Sequence, residues 1–340
     1  MSGGTDSSVA ARLLIEQGYR VKGISFVFAD TGREEAAVAD ALSVCRELNI
    51  EHQRLDAREL FRERVVDYFV EEYLDGRTPF PCARCNPELK WKLIIDEADR
   101  QGFDQVSMGH YAQIAFENDQ YFIRQGVDPD KDQSFFLWGL KQNQLRRIVF
   151  PLGTWLKSEV RAYAAEKGMY HISKKKDSLG VCFLESDYRP FLIKELEQRN
   201  KTLQVGNFID EEGNILGQHQ GYPLYTVGQR RGLGIHLNRA VFVKAIDPVR
   251  NEVLLSELSG MYRDSFTLKN YQLVDPTLFG NDFDTIVRIR YRKQQTLSRI
   301  EIIDDSRLRI ILSEAVDAIA PGQTAVFYRE GKVLGGGFIE

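Results

Sequence analysis

Two different periodicities divide this 340-residue chain, and they call for two kinds of architecture. From Ser7 to about Phe150, helical and strand-like segments alternate. Such alternation builds a parallel α/β sheet, because a parallel strand needs a crossover helix to return the chain. SSVAARLLIEQG predicts a helix stopped by Gly18, RVKGISFVFAD a strand, REEAAVADALSVCREL a helix and EHQRLD a short strand. ELFRERVVDYFVEEYL predicts another helix, with Phe61, Val65, Phe69 and Tyr73 four apart on one line. PELKWKLIIDEADRQG predicts a helix, DQVSMGH a strand, SFFLWGL and SEVRAYAAEKG two further helices, and residues 187–199 a last one. From about Val205 the chain is rich in glycine and in short alternating runs, the pattern of small sheets and barrels. Runs near 265–273, 285–292, 297–304, 307–313, 323–328 and 332–339 predict a six-stranded barrel. In TIVRIRYRKQ, Val287, Ile289 and Tyr291 share one face and Arg288, Arg290 and Arg292 the other.

The length allows two or three domains with sizeable cores. With 43% hydrophobic and 28% charged residues the composition is that of a soluble globular protein, and no stretch approaches the ~18 apolar residues of a membrane helix. MSGGTDSS lacks a charged region followed by an apolar core, and four cysteines are too few for a disulfide scaffold, so a reducing cytoplasm is expected. A net charge of −4 argues against wholesale coating of nucleic acid but leaves local patches, KKK at 174–176, QRR at 229–231 and RIRYRK at 288–293.

SGGTDSS, residues 2–8, heads a predicted helix, where unpaired N–H groups and the helix dipole favour an anion. Gly3 and Gly4 let the backbone close around phosphate oxygens, and Ser2, Ser7 and Ser8 offer hydroxyls. No G-x-x-x-x-G-K-[ST] or G-x-G-x-x-G occurs, so the loop is neither a Walker loop nor a Rossmann fingerprint. SGGxDS instead resembles the pyrophosphatase loop of enzymes that split ATP between its α- and β-phosphates to adenylate a carbonyl oxygen. A parallel strand is expected ahead of such a loop, yet residue 1 is already inside it; without that strand the sheet would be one central strand short.

TPFPCARCNPELKW, residues 78–91, places two cysteines three apart between prolines. A lone C-x-x-C fits metal ligands, a redox pair or nucleophiles. Asn86 and Pro87 read as N-cap and first residue of a helix, which puts Cys85 just ahead of the dipole's positive end and predicts a lowered thiol pKa. Zinc needs two more ligands, but no second C-x-x-C and no H-x₃₋₅-H pair is present. Cys182, in KKKDSLGVCFLE, is the other candidate nucleophile: its apolar neighbours fit a buried strand cysteine, while the preceding lysines favour a thiolate. Cys45 falls at an apolar helical position and reads as core.

SGGTDSSVAA, TPFPCARCNPELKW, MGHYA, KDQSFFL, PLGTWLKSEVRAYA, DSLGVCFL, GYPLYTVGQRRGLGI, RIRYR and APGQTAVFY together span nearly the whole chain. Their order resembles that of the tRNA-specific 2-thiouridylases. The resemblance implies an ATP-pyrophosphatase domain over 1–200, a small β-rich domain over 201–262 and a β-barrel over 263–340 that binds tRNA. It implies 2-thiolation of the wobble uridine of tRNAs for Lys, Glu and Gln, with ATP and Mg2+ as cofactors and persulfide sulfur from a donor protein, a cysteine desulfurase or a sulfur relay protein. By motif, Met1, Ser2, Gly3, Gly4, Thr5, Asp6, Ser7, Phe26 and Gly109 would hold ATP, and Phe80, Pro81 and Cys82 the target base. His110, Lys131, Asp132, Gln133, Arg290, Tyr291 and Gln323 would meet tRNA. Cys182 would carry the persulfide and Cys85 would attack it, leaving a Cys85–Cys182 disulfide or a covalent intermediate. The chain departs from the family's usual residues with Phe80 for asparagine, Cys82 for aspartate and Phe26 for methionine. Two other readings stand beside this one: an ATP-pyrophosphatase ligase acting on a small molecule, and a non-catalytic tRNA-binding protein.

Overall fold

The structure, a computed structural model, describes residues 1–30, 32–173, 175, 180–184, 187–291 and 295–340. Arg292 and two of the three lysines of the KKK run, Lys174 and Lys176, lie outside the described residues. The chain forms two compact units. The first comprises residues 1–65, 82–183 and 330–333; the second comprises 66–81, 184–329 and 334–340.

In the first unit, β1 (Gly23–Val27) and β2 (His52–Asp56) pair in parallel around the crossover helix Gly32–Glu47. A second parallel pair joins β3 (Val106–Ser107) to β6 (Ile148–Val149). Between them in sequence, β4 (Ala112–Glu117) and β5 (Gln120–Gln125) form an antiparallel hairpin that turns at Asn118 and Asp119, both with positive φ. The alternation of periods anticipates the parallel pairs but not this hairpin. SFFLWGL is helical only as the 3₁₀ turn Ser134–Phe136, and DQVSMGH only as the two-residue β3, corrections to the lengths expected. Helices Thr5–Glu16 and Lys157–Glu166 bury Val9, Leu13, Val160 and Ala164 in a core with Leu152 and Ile172. Cys45 is fully buried, as its place on the helix implied, and burial raises its thiol pKa.

In the second unit, β7 (Gly206–Ile209), β8 (Ile215–His219), β9 (Phe242–Asp247) and β10 (Glu252–Ser256) make a four-stranded sheet in the order β8-β7-β10-β9, packed around Phe208, Val243, Val253 and Leu255. The expected barrel follows. Its strands are β11 (Arg263–Leu273), β12 (Thr285–Arg288), β13 (Thr296–Asp304), β14 (Arg307–Val316), β15 (Thr324–Arg329) and β16 (Lys332–Ile339), in the order β11-β14-β13-β12-β15-β16, and pairing of β11 with β16 closes it. The alternation read from TIVRIRYRKQ holds for Val287 and Ile289, which are buried, and for Arg290, which is exposed. The strand itself ends at Arg288, so Arg290 and Tyr291 stand on the bend beyond it.

Candidate active site, a glycine loop and a cluster of thiols

The helix Thr5–Glu16 starts at Gly4, a residue with no side chain to cap it, so its first-turn amides are left for an anion. Gly3 sits at φ +64, and a Cβ there would stand 2.5 Å from the Ala37 carbonyl oxygen, so glycine is the residue that lets this turn form. Ser2 N–H donates to Ser7 Oγ at 3.2 Å, and their two hydroxyl oxygens are 3.1 Å apart. Ser25 Oγ donates to the Met1 carbonyl at 2.7 Å, which ties the loop to β1. Thr5 Oγ1 donates to Ile172 O at 2.7 Å. Asp6 is held by Lys157 Nζ at 2.7 and 2.8 Å and by the Tyr111 hydroxyl at 2.7 Å. Lys175 donates to Gly3 O at 2.7 Å and pairs with Asp40. Gly109 touches the loop: a Cβ on it would fall 2.7 Å from Ser7 N. Residues 1–7 and Gly109 are thus one constellation. Phe26 lies on β1 of the same unit, its ring 5.8 Å from that of Phe28.

The cysteine segment folds differently from its sequence reading. The helix begins at Pro81 rather than at Asn86, continues through a π-helical turn, Asn86–Lys90, and runs on as Trp91–Gln101. Asn86 is no N-cap; it is buried inside the helix, and its amide donates back to Cys82 O at 2.9 Å. Cys82 and Cys85 therefore occupy the first turn, three apart on one face. A π-turn hydrogen-bonds residues five apart, which sets Lys90 on the side of Cys85.

Aromatic packing delivers the third thiol. Phe28 packs on Phe61 with ring centroids 4.9 Å apart, and Phe61 on Phe183 at 5.7 Å, so the residue after Cys182 is anchored to the end of β1. Lys90 Nζ stands 5.7 Å from the Phe28 ring centroid. Glu34 Oε2 accepts from Phe28 N at 2.9 Å and Ala29 N at 2.6 Å, which fixes a carboxylate beside the same strand end. Cys82, Cys85 and Cys182 all feel the charge of Lys90, and Cys85 also feels both other thiols.

The expectation of a low pKa at Cys85 is overturned. Burial pushes this thiol up to about 12, with Lys90 opposing, because a thiolate loses more hydration in this buried position than the helix dipole restores. Loss of hydration beside neighbouring groups likewise raises Cys82 and, although its residue as a whole is exposed, Cys182, again against Lys90. Burial lowers the Lys90 pKa, but Cys85, Cys182, Cys82 and Glu34 outweigh it and leave it raised. The ammonium stays charged. Cys182 is exposed while Cys85 is buried, so one thiol can be loaded from outside and the other is kept protonated in the resting protein. Sequence reading did not single out Lys90, because five residues at 100° each place it about 140° from Cys85 on a regular helix.

The residues matched to tRNA contacts divide between the units. His110 packs against Trp91 and Phe150, with ring centroids 5.7 and 6.1 Å away, and burial followed by the charge of Lys90 lowers its pKa to about 3. It offers a neutral ring, not a cation. Asp132 is buried and accepts from Gly126 N, Ser134 N, Ser134 Oγ and Gln125 Nε2 at 2.9 to 3.1 Å, so its carboxylate shapes the 126–134 loop. Gln133 Oε1 accepts from Tyr111 N at 3.1 Å, and Lys131 is only partly buried on the same loop. In the second unit Gln323 Nε2 donates to Thr78 O at 3.0 Å and Pro79 O at 3.3 Å, and so fixes the segment that carries Phe80 and Pro81. Arg290 is exposed and donates to the Asp317 carbonyl at 3.1 Å.

Three family models match consecutive parts of the chain. They are a tRNA methyl transferase HUP domain at residues 1–186, a tRNA methyl transferase PRC-barrel domain at 191–257 and an aminomethyltransferase beta-barrel domain at 263–339. Among curated proteins, a tRNA-specific 2-thiouridylase of Phocaeicola vulgatus is 50% identical over 339 residues, covering 100% of this chain and 96% of the relative. One from Bacteroides fragilis is 49% identical over 348 residues, covering 100% and 95%. One from Cytophaga hutchinsonii is 40% identical over 357 residues, covering 100% and 96%.

Proposed function

The chain belongs to the tRNA-specific 2-thiouridylase family, and from that premise we propose that it replaces the 2-oxygen of a tRNA wobble uridine with sulfur, in tRNAs for Lys, Glu and Gln. The observation that carries the reading is the meeting of Cys82, Cys85 and Cys182 around Lys90 in the unit that holds the glycine loop. A small-molecule ligase has no use for gathered thiols, and a non-catalytic binder has no use for either feature.

The glycine loop fits a triphosphate. First-turn amides and the Ser2 and Ser7 hydroxyls suit phosphate oxygens, Gly3 and Gly109 let neighbouring backbone pack closely enough to hold the loop in shape, and the family motif assigns Phe26 to the adenine. Mg2+ would arrive with the nucleotide. ATP supplies the adenylate that turns the uridine's 2-oxygen into a leaving group; the chain's own residues perform the rest. Cys182, being exposed, takes sulfane sulfur from a donor protein's persulfide. Cys85 then attacks the Cys182 sulfur, with Lys90 offsetting the charge. A Cys85–Cys182 bond forms and the outer sulfur departs as hydrosulfide, which adds to C2 and expels AMP with the former 2-oxygen. Phe80, Pro81 and Cys82 border the base. Arg290, Tyr291 and Gln323 on the barrel and His110, Lys131, Asp132 and Gln133 on the first unit bind the tRNA, and the reaction takes place in the cytoplasm. Residues 1–200, 201–262 and 263–340 serve as catalytic, linking and tRNA-binding domains.

The matched domain descriptions speak of methyl transfer, the relatives' names of thiolation. Mass spectrometry of nucleosides from treated tRNA distinguishes them. Exchange of oxygen for sulfur, dependent on ATP and lost in both Cys85→Ser and Cys182→Ser, is the expected result. An added methyl group, or thiolation surviving either substitution, would overturn the proposal.

A further inference from the structure

The sulfur-transfer scheme uses two thiols, and the structure gathers three. Cys82 sits in the first turn of its helix, three residues before Cys85 and on the same face, and it interacts electrostatically with both Cys85 and Cys182. The three differ in access: Cys182 is exposed, Cys82 partly buried and Cys85 buried. After one sulfur transfer, the scheme leaves the loading thiol locked to a buried partner, where no new persulfide can reach it.

Resting on that reading, we propose that Cys82 is a resolving thiol, which moves the disulfide from Cys85–Cys182 to Cys82–Cys85 and thereby frees Cys182 for reloading. The Cys82 thiolate attacks Cys85 Sγ. The Cys85–Cys182 bond breaks, its electron pair leaves on Cys182 Sγ, and a Cys82–Cys85 bond forms. The disulfide count is unchanged, so the exchange needs no oxidant or reductant. Lys90 stands over the Phe28 ring at 5.7 Å, in the aromatic row that ends at Phe183, and its charge acts on both the attacking and the departing sulfur. The first-turn position of Cys82 adds the favourable end of the helix dipole to the attacking thiolate. A disulfide at the head of a helix, with one sulfur partly exposed, is then open to reduction by a dithiol before the next transfer.

Trypsin makes the rearrangement visible, because Arg84 separates the two cysteines. Cys82 leaves in peptide 78–84, Cys85 in 85–90 and Cys182 in 177–194. Wild-type protein is loaded on Cys182 with cysteine persulfide, given tRNA and ATP for one turnover without reductant, quenched in acid, alkylated with N-ethylmaleimide and digested. Peptide 85–90 linked to 78–84, with 177–194 alkylated, is the expected product, and the enzyme should accept a second equivalent of sulfane sulfur on 177–194. In Cys82→Ser, whatever its rate of turnover, the fraction that has formed 2-thiouridine should keep 85–90 linked to 177–194 and load no second equivalent. Formation of 2-thiouridine alongside a lasting 85–90 link to 177–194, with 78–84 alkylated, would overturn the exchange but leave the thiolation reading intact. Absence of 2-thiouridine counts against the thiolation reading alone. The exchange is then decided by oxidising the free protein with one equivalent of diamide and following the linkages in time, where an 85–90 link to 177–194 that gives way to an 85–90 link to 78–84 supports it and any other course refutes it.

Discussion

Phe183 packs edge-on against Phe61, with ring centroids 5.7 Å apart and planes at 75°. Phe61 is almost fully buried and already holds Phe28, so this ring contact helps moor the segment bearing Cys182 to the end of β1. Replacing Phe183 with alanine removes this contact without touching a sulfur. Such an edge contact is worth about 0.5–1.5 kcal/mol beyond its burial, so the fold should survive. Loading of Cys182 with persulfide should be unchanged, while transfer of that sulfur to tRNA falls several-fold; radiolabelled sulfur followed on protein and on tRNA separates the two. Equal transfer in both proteins would mean that Cys182 is placed by other means.

Lys90 acts on all three thiols, and removing its charge should make each harder to ionise. In Lys90→Met the pH profile of iodoacetamide modification at the exposed Cys182 should shift upward by about one unit, a tenfold drop in rate at fixed pH below the midpoint. Lys90→Arg, which keeps the charge, should restore most of the profile. An unmoved midpoint with a lowered melting temperature would make Lys90 a packing residue only.

Gly109 leaves room for the glycine loop. An added Cβ would lie 2.7 Å from both Asp6 C and Ser7 N, closer than such atoms approach. Gly109→Ala should therefore push the loop out of place and raise the KM for ATP by tenfold or more, while the alkylation rates of Cys82 and Cys182 stay as in the wild type. Steady-state kinetics alongside thiol mapping tests both halves of that expectation.

Legibility from sequence followed the range of the forces involved. The six barrel strands and the crossover helix Gly32–Glu47 were readable because burial on one face imposes a period that any single segment displays. The glycine turn at residues 3–4 and the helix after it were readable because both follow from local chemistry alone. The helix start at Pro81, the π-turn and Lys90 were not readable. A proline and asparagine pair at 86–87 satisfies the local rules for a helix start, and only tertiary packing of Trp91, Leu89 and Asn86 extends the helix one turn earlier. The low pKa expected of Cys85 failed for the same reason, since dipole effects can be read from position but burial cannot.

His110 should make the protein sensitive to mild acid. Its pKa is lowered to about 3, first by burial and then by Lys90, while an unfolded chain protonates histidine near 6.5. The stability tied to the neutral ring is complete above pH 6.5 and drains away as pH falls toward 3, at no more than about 1.4 kcal/mol per unit. Melting temperatures across that window should fall less steeply in His110→Gln than in wild type. Parallel curves would show that the native ring takes up its proton as easily as the unfolded one.

Arg290 separates a tRNA-binding role from the bland one of a solvated strand end. Its guanidinium is exposed and bonds the Asp317 carbonyl and carboxylate, at 3.1 and 3.3 Å, surface contacts that it can exchange for a phosphate at little cost. Each phosphate neutralised by a protein cation contributes about −0.9 to the slope of log K against log salt on a duplex, and about −0.7 on a single strand. Arg290→Ala should weaken tRNA binding and make that slope shallower by roughly one such increment, and do so equally for tRNAs with and without the target uridine, because a phosphate contact carries no sequence information. Filter binding over a range of potassium chloride concentrations measures both quantities. A lower affinity with an unchanged slope would place Arg290 in the scaffold of the bend, holding Asp317 rather than the nucleic acid.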